Sequence, residues 1–460
     1  MSYDALFARA QEHARAFLAT VRVRHVNART PDPVTSDPPA LSDPVAPLAV
    51  LDSLAQLIDE GSVATPGPRY FGFVTGGSYP VAVAADWLVS VWDQNAAFHV
   101  LSPAMACLED VTAAWLLELL GLPRHASVGF VTGATMANVT GLAAARHEVL
   151  RRAGWDVEAD GLQGAPTLRV VVGAGAHASI DTAARFLGFG TSNLVRVEAD
   201  DQGRMVPEAL EAALAHSGGP LIVCLQAGHV NTGAFDPFTP LIDIARRRGA
   251  WVHVDGAFGL WARAAAGLRA LADGVERADS WAIDAHKWLN VPYDSGIAIV
   301  AHPAAHRASM AQRASYLLRA DGERRDGMDW TPEASRRARA VPVYAALKAL
   351  GREGVAALVT GNCERARQMA ARLRPQEGIA ILNDVVLNQV LVRVRSRAGG
   401  NVTPAVIARV QDAGVCWVGG TTWQGEPAMR IAISNWATSP ADIEASAASI
   451  LRAAEAADAA

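Results

Sequence analysis

Between residues 126 and 303 the chain repeats one pattern, a short apolar run closed by small or polar residues and followed by a stretch with helical spacing. The runs are "ASVGFVTG", "TLRVVVGAGAH", "LIVCLQAG", "GAWVHVDGAF", "SWAIDAHKW" and "GIAIVAHP". Buried strands alternating with helices read as a mostly parallel sheet covered on both faces, an α/β class that excludes helical bundles and sandwiches. Ligands of such sheets collect beyond the carboxyl ends of the strands. The residues that close each run are therefore the first place to look for chemistry.

The flanks differ. "MSYDALFARAQEHARAFLATVRVRH" has helical periodicity but carries Asp4 and Glu12 and no uninterrupted apolar stretch, unlike a signal or transit peptide. The proline-rich "NARTPDPVTSDPPALSDPVAP" after it reads as an extended arm. From about residue 346 come a helix, "LKALGREGVAALV", three strand-like runs, "LNQVLVRVRS", "VCWVGGTTW" and "AMRIAISNW", and an alanine-rich final helix, together a smaller α+β domain. The expected division is 1–80 for the helix and arm, 81–345 for the large domain and 346–460 for the small one.

A formal net charge of -5 and a pI near 6.2 leave no basic footprint for nucleic acid. No apolar run is long enough for a membrane span. Cys107, Cys224, Cys363 and Cys416 lie far apart, so neither a metal site nor a disulfide framework is expected, which fits a reducing cytoplasm.

Four strand ends carry candidate chemistry. "FVTGATMANVTGL" runs from a strand through Gly133, Ala134 and Thr135 into a helix, and small residues at a helix N-terminus expose amides suited to phosphate. A plain capped helix is the alternative. "GAGAHASIDTAARFLG" puts His177 before a helix, where an imidazole can stack on a flat ring or serve as a satisfied structural histidine. "WVHVDGAFG" ends a buried strand in Asp255, a costly position for a carboxylate unless it is paired with a cation such as a protonated pyridine. A turn or helix cap is the ordinary reading.

The fourth end is "DAHKWLNVPYDSG". Lys plus Arg number 41, yet only Lys287 and Lys348 are lysines. Arginine does not deprotonate in a protein's working range; a primary amine does, and can form a Schiff base with an aldehyde. A chance surface lysine is the alternative. Phosphate cradle, ring histidine, ring carboxylate and amine in this order on successive strands describe a pyridoxal phosphate site. A dinucleotide site would need the glycine fingerprint that is missing.

From about residue 50 onward the chain resembles the group II pyridoxal-phosphate-dependent amino acid decarboxylases, the family of aromatic amino acid and glutamate decarboxylases. The resemblance implies an aspartate aminotransferase-like fold (PLP fold type I), a homodimer with active sites at the subunit interface, and conversion of an L-amino acid to the amine and carbon dioxide. "DAHKW" resembles the lysine signature, which implies the internal aldimine on Lys287 with His286 beside it. "HVDGAFG" implies Asp255 at the pyridinium nitrogen and Ala257 under the ring. "AHAS" implies His177 on the other ring face, and "GAT" the phosphate loop of Gly133, Ala134 and Thr135. "AGHVNTGAFDP" contributes Asn231, and "SRRAR" resembles the Arg pair after the mobile catalytic loop. "RYFGFVTGGSYP" implies Phe73 and Thr75 on the substrate side, with Thr75 at the substrate carboxylate.

Three departures stand out. Asp284 replaces an asparagine expected to face phosphate, where an acid repels unless it turns away or finds an arginine. Gly72 stands in a stretch that large rings line in the aromatic enzymes, and "DQN", Asp93 to Asn95, is polar in the segment expected from the partner subunit, so Asn95 is implied at the substrate and a polar substrate side chain stands open beside an aromatic one. The loop stretch 317–335 lacks the tyrosine expected to protonate the product carbon. That absence keeps oxidative deamination, transamination and carbon–carbon lyase chemistry open as alternatives, alongside a non-catalytic dimeric scaffold.

Overall fold

The computed structural model describes residues 2–28, 44–215, 218–311 and 324–459. Most of the proline-rich arm, and Tyr316 with the first part of the loop that lacks a tyrosine, lie outside the described residues.

Two compact units emerge. One comprises Ser78–Ala366 with Asn383–Gln389. Its seven strands are β1 (Ser127–Val131), β2 (Arg169–Gly173), β3 (Leu194–Val197), β4 (Leu221–Gln226), β5 (Trp251–Asp255), β6 (Ser280–Asp284) and β7 (Gly296–Val300), in the order β1-β7-β6-β5-β4-β2-β3. Pairing is parallel from β3 through β6, whereas β7 is antiparallel to both its neighbours, β6 and β1. The sheet is therefore mostly parallel, as the alternating pattern predicts. β3 is the strand the pattern does not disclose: it has four residues, sits at the edge, and exposes Arg196.

Packing explains the rest. Every residue of β1, β5, β6 and β7 is buried, which is why these strands read as continuous apolar runs rather than alternating ones. The helix Ala134–Arg152 buries twelve residues, most of them small, among them Ala137, Gly141, Ala144 and Ala145. Trp251, Trp261, Trp281 and Trp288 are wholly buried, and each large apolar side chain removed from water contributes about 1.5–3 kcal/mol. Only glycine fits at position 296, because a Cβ there would lie 2.4 Å from the Gly133 backbone. The lysine segment thus joins two adjacent strands whose ends pair as Asp284 with Gly296.

The other unit comprises Met1–Gly77, Arg367–Leu382 and Val390–Ala460. Strands β8 (Ile379–Ile381), β9 (Gln389–Val394), β10 (Gly419–Trp423) and β11 (Glu426–Ala432) form a sheet in the order β10-β11-β9-β8. The three runs legible in the sequence become β9, β10 and β11; β8, three residues long, is too short to announce itself. The helix Pro440–Asp458 starts with a capping box between Ser439 and Asp442. Arg9 and His13 of the helix Tyr3–Thr20 both reach Asp52 of the helix Pro47–Gly61, at 2.6 and 2.7 Å. Among the described residues no helix is long and apolar enough to cross a membrane.

Candidate active site

Lys287 follows β6 on a segment pinned along its length. Trp288 and Asn290 are fully buried, Trp261 Nε1 donates to the Asp284 carbonyl (3.0 Å), and the Tyr79 amide donates to the Asn290 carbonyl (2.6 Å). Asp284, 2% exposed, gathers three donors. Its Oδ2 lies 2.8 Å from Lys287 Nζ, and its Oδ1 accepts from the Ala134 amide at 2.5 Å and faces His286 Nε2 at 3.4 Å. The acid that replaces the expected asparagine has found the lysine rather than an arginine, and it sits at a helix N-terminus where dipoles favour an anion.

His286 is buried, which lowers its pKa from the ordinary histidine value against the opposing pull of Asp284. The Ser295 amide donates to its Nδ1 (3.3 Å), so the neutral ring keeps its proton on Nε2, toward Asp284. Tyr293 stacks on this imidazole with ring centroids 4.2 Å apart and is 63% exposed. Nothing in the motif reading singles out Tyr293.

At the end of β5, Asp255 is 5% exposed. Its Oδ2 accepts from Asn138 Nδ2 (3.2 Å) and Ser179 Oγ (3.3 Å), and its Oδ1 from the Ala257 amide (3.1 Å). Among the described residues no cationic side chain forms an ion pair with it. His177 caps the helix Ala178–Phe186: its Nδ1 accepts from the Ser179 amide (3.2 Å) and lies 2.8 Å from Ser179 Oγ, while the ring stays exposed. Ser179 therefore ties His177 to Asp255. Ala257 joins this group to the lysine group, because its carbonyl accepts from the Asp284 amide at 2.8 Å.

Gly133 abuts both parts of the lysine group; a Cβ there would meet His286 Cε1 at 3.3 Å and Asp284 Oδ1 at 3.4 Å. Thr135, the second residue of the same helix, is exposed. Asn231 is buried in a loop that Asp236 staples, accepting from the Met205 and Gln226 amides at 2.8 and 2.7 Å. Burial pushes the Asp236 carboxyl up to about 6 even though those amides favour its charged form. His229 of this loop, 3% exposed, fills space left by Gly175 and Gly203, where a Cβ would approach the ring to 2.7 and 2.8 Å.

Asn95 Oδ1 accepts from the Ala97 and Arg336 amides at 3.2 and 3.1 Å. Phe73 and Thr75 belong to the unit that contains Met1–Gly77. There Phe73 and Val74 both take left-handed backbone conformations (φ 51° and 57°), strained for a β-branched residue and typical of functional segments. Phe73 is 66% exposed and leans on Trp417, which stacks on Tyr70. A Cβ on Gly72 would meet the Trp417 ring at 2.3 Å, so the space at residue 72 is already occupied by an aromatic ring. Arg430, on β11, has no ion-pair partner among the described residues, and burial lowers its pKa.

The family model described as the pyridoxal-dependent decarboxylase conserved domain matches residues 35–395. L-2,4-diaminobutyrate decarboxylase of Rhizobium meliloti is 30% identical over 378 residues, covering 78% of this chain and 73% of that protein. Acidic amino acid decarboxylase GADL1 of Bos taurus is 30% identical over 333 residues, covering 70% of this chain and 62% of the relative's own length. Among solved structures, Oryza sativa TDC with PLP and tryptamine superposes with a TM-score of 0.91 over 99% of both chains at 22% identity. Mouse CSAD does so with 0.88 over 98% of both, also at 22%. These two speak for the fold, which is PLP fold type I.

Proposed function

The chain belongs to the pyridoxal-dependent decarboxylase family, a PLP-dependent amino acid decarboxylase, and from that premise we propose that Lys287 carries the cofactor and that the substrate is an L-amino acid with a polar side chain. Bound there, pyridoxal 5′-phosphate supplies a ring that accepts the electron pair left when the α-carboxylate departs as carbon dioxide.

Asp255 carries this reading. A buried carboxylate supplied with neutral donors but no cation calls for a cation of its own, and a protonated ring nitrogen is one. Asp284 lies 2.8 Å from Lys287 Nζ, so the amine must leave this carboxylate before it can act as a nucleophile. His286, neutral near physiological pH, keeps its Nε2 proton on Asp284 and leaves the Ala134 amide and Lys287 to share that carboxylate. His177 offers an exposed ring for stacking, Ala257 a small surface for the opposite ring face, and Gly133, Ala134 and Thr135 the helix start for the phosphate, with Asn231 in the neighbouring loop.

Phe73, Thr75 and Asn95 are assigned to the substrate, Thr75 to its α-carboxylate, and Arg430, a half-buried cation without an ion-pair partner among the described residues, to a carboxylate as well. The polar run Asp93 to Asn95 supports a polar side chain on the substrate. The active form is a homodimer with its sites at the subunit interface. A cytoplasmic location fits the four free cysteines.

Incubating the cofactor-loaded protein with a mixture of L-amino acids and following products by mass spectrometry tests the reading. An amine one carbon dioxide lighter than its parent is expected. Borohydride should fix the cofactor on the Lys287 peptide, and Lys287→Ala should lose both the amine and the fixed cofactor; retention of either overturns the assignment.

A further inference from the structure

Behind Asp255 runs a chain of hydrogen bonds with no solvent contact. Trp251 Nε1 donates to Ser280 Oγ (2.9 Å), Ser280 Oγ lies 2.8 Å from His253 Nδ1, and His253 Nε2 lies 2.9 Å from Asn138 Oδ1. Asn138 Nδ2 then donates to Asp255 Oδ2 and, at 3.1 Å, to Ser179 Oγ. Trp251, His253, Ser280 and Asn138 are each 0% exposed. The helix that carries Asn138 comes this close to β5 only because residue 141 is glycine; a Cβ there would lie 2.8 Å from His253 Cε1.

The Asp255 end fixes the direction of the bonds as far as His253. An indole N–H only donates, so the Ser280 oxygen accepts it, and the Ser280 hydrogen is available to His253 Nδ1 when that nitrogen carries no proton. A carboxylate only accepts, so Asn138 presents its nitrogen to Asp255 and its oxygen to His253. His253 must then carry a proton on Nε2. Burial makes it the single one by lowering the pKa of the ring to about 4, against the pull of Asp255.

We propose that His253 is a positioning residue: its Nε2 proton locks the Asn138 amide so that N–H, never oxygen, faces Asp255, and thereby keeps Asp255 oriented as the acceptor for the ring-nitrogen proton of the cofactor. The proposal rests on the reading of Asp255 given above. Without the lock the amide is free to turn, which sets an oxygen against a carboxylate and strands buried donors. A histidine that merely filled the core would affect stability and leave a proton two residues away unmoved.

Two readouts test this. In the cofactor-free protein, side-chain nitrogen NMR should find His253 neutral and protonated on Nε2 between about pH 6 and 8; a proton on Nδ1, or on both nitrogens, overturns the proposal even if no variant folds. In protein loaded with nitrogen-15-labelled pyridoxal phosphate, the ring nitrogen should be protonated. His253→Phe should move its signal toward the unprotonated position and weaken cofactor binding about tenfold. His253→Gln, whose amide still donates to Asn138, should restore the signal. Asp255→Asn separates the two readings: if it leaves the ring nitrogen unchanged, the assignment of Asp255 fails, whereas a change with Asp255→Asn and none with His253→Phe sinks the lock alone.

Discussion

Asp284 resolves a conflict by charge rather than by shape. Its two oxygens serve Lys287, His286 and the Ala134 amide, and a charge-assisted bond of this kind contributes about 1.5–3 kcal/mol. The same carboxylate would oppose a phosphate bound, as proposed, at the start of the helix Ala134–Arg152. Asp284→Asn removes both the ion pair with Lys287 and the repulsion, so cofactor affinity measured by fluorescence titration should tighten about tenfold; unchanged or weaker binding would show that the acid does not compete. Asp255 at the end of β5, and Lys287 and His177 a few residues beyond β6 and β2, stand where the apolar runs of the sequence put them. Asn138, Ser179 and His253 were not legible in the sequence, because a polar residue inside a helix or strand looks like any other until its partner from a distant segment is known. Tyr293 was hidden for the same reason: its meaning lies in the stacking on His286.

The stretch after the lysine loop is held by a buried ion cluster. Glu109, on the helix Pro103–Leu120, is 1% exposed and meets Arg336 Nη1 at 2.6 Å and Arg325 Nε at 2.9 Å. Arg336 also donates to the Ala96 and Phe130 carbonyls. Glu109→Gln keeps the size and strands two arginines, and should cost about 3–5 kcal/mol in urea unfolding. His306, close by, is held between Ser127 Oγ and the Trp330 carbonyl, and burial lowers its pKa to about 3. A histidine depressed in the folded state contributes stability above its unfolded pKa of about 6.5, and that stability is lost as pH falls toward the folded value. His253 behaves alike, while Asp236, raised to about 6, has the opposite sign and gains stability as pH falls from about 6 to 4. His306→Gln should make the fall in stability with pH in that window shallower by about 1.4 kcal/mol per pH unit; an unaltered slope would mean His306 is not held neutral by burial. At this scale the sequence disclosed every strand long and buried enough to be a continuous apolar run, and failed at β3 and β8, where brevity and exposure erase the pattern.

The whole molecule presents a face that one chain leaves uncovered. On the helix Pro80–Trp92, Trp87, Leu88, Val91 and Trp92 are 46–57% exposed, and beyond it Val100 and Leu101 are 71% and 56% exposed. A single-chain protein rarely leaves such a row in water. Leu88→Glu combined with Val91→Glu should turn the proposed dimer into a monomer by light scattering and abolish turnover together; a parent protein that is already monomeric, or a variant that stays dimeric, would show that this face is not the subunit interface. The placement of β7 carries a further consequence, one of timing. It alone gives β1 a neighbour in the sheet, and it pairs residues as distant as Ser127 and Val300, 173 positions apart. A chain emerging from the ribosome makes β1, with the helix start behind it, long before it makes β7, and contacts of such separation form late. In the sheet β7 lies between β1 and β6, so the helix start and the lysine segment are brought together by the last strand of this sheet to be made. A chain truncated before β7 should therefore fail to capture the cofactor.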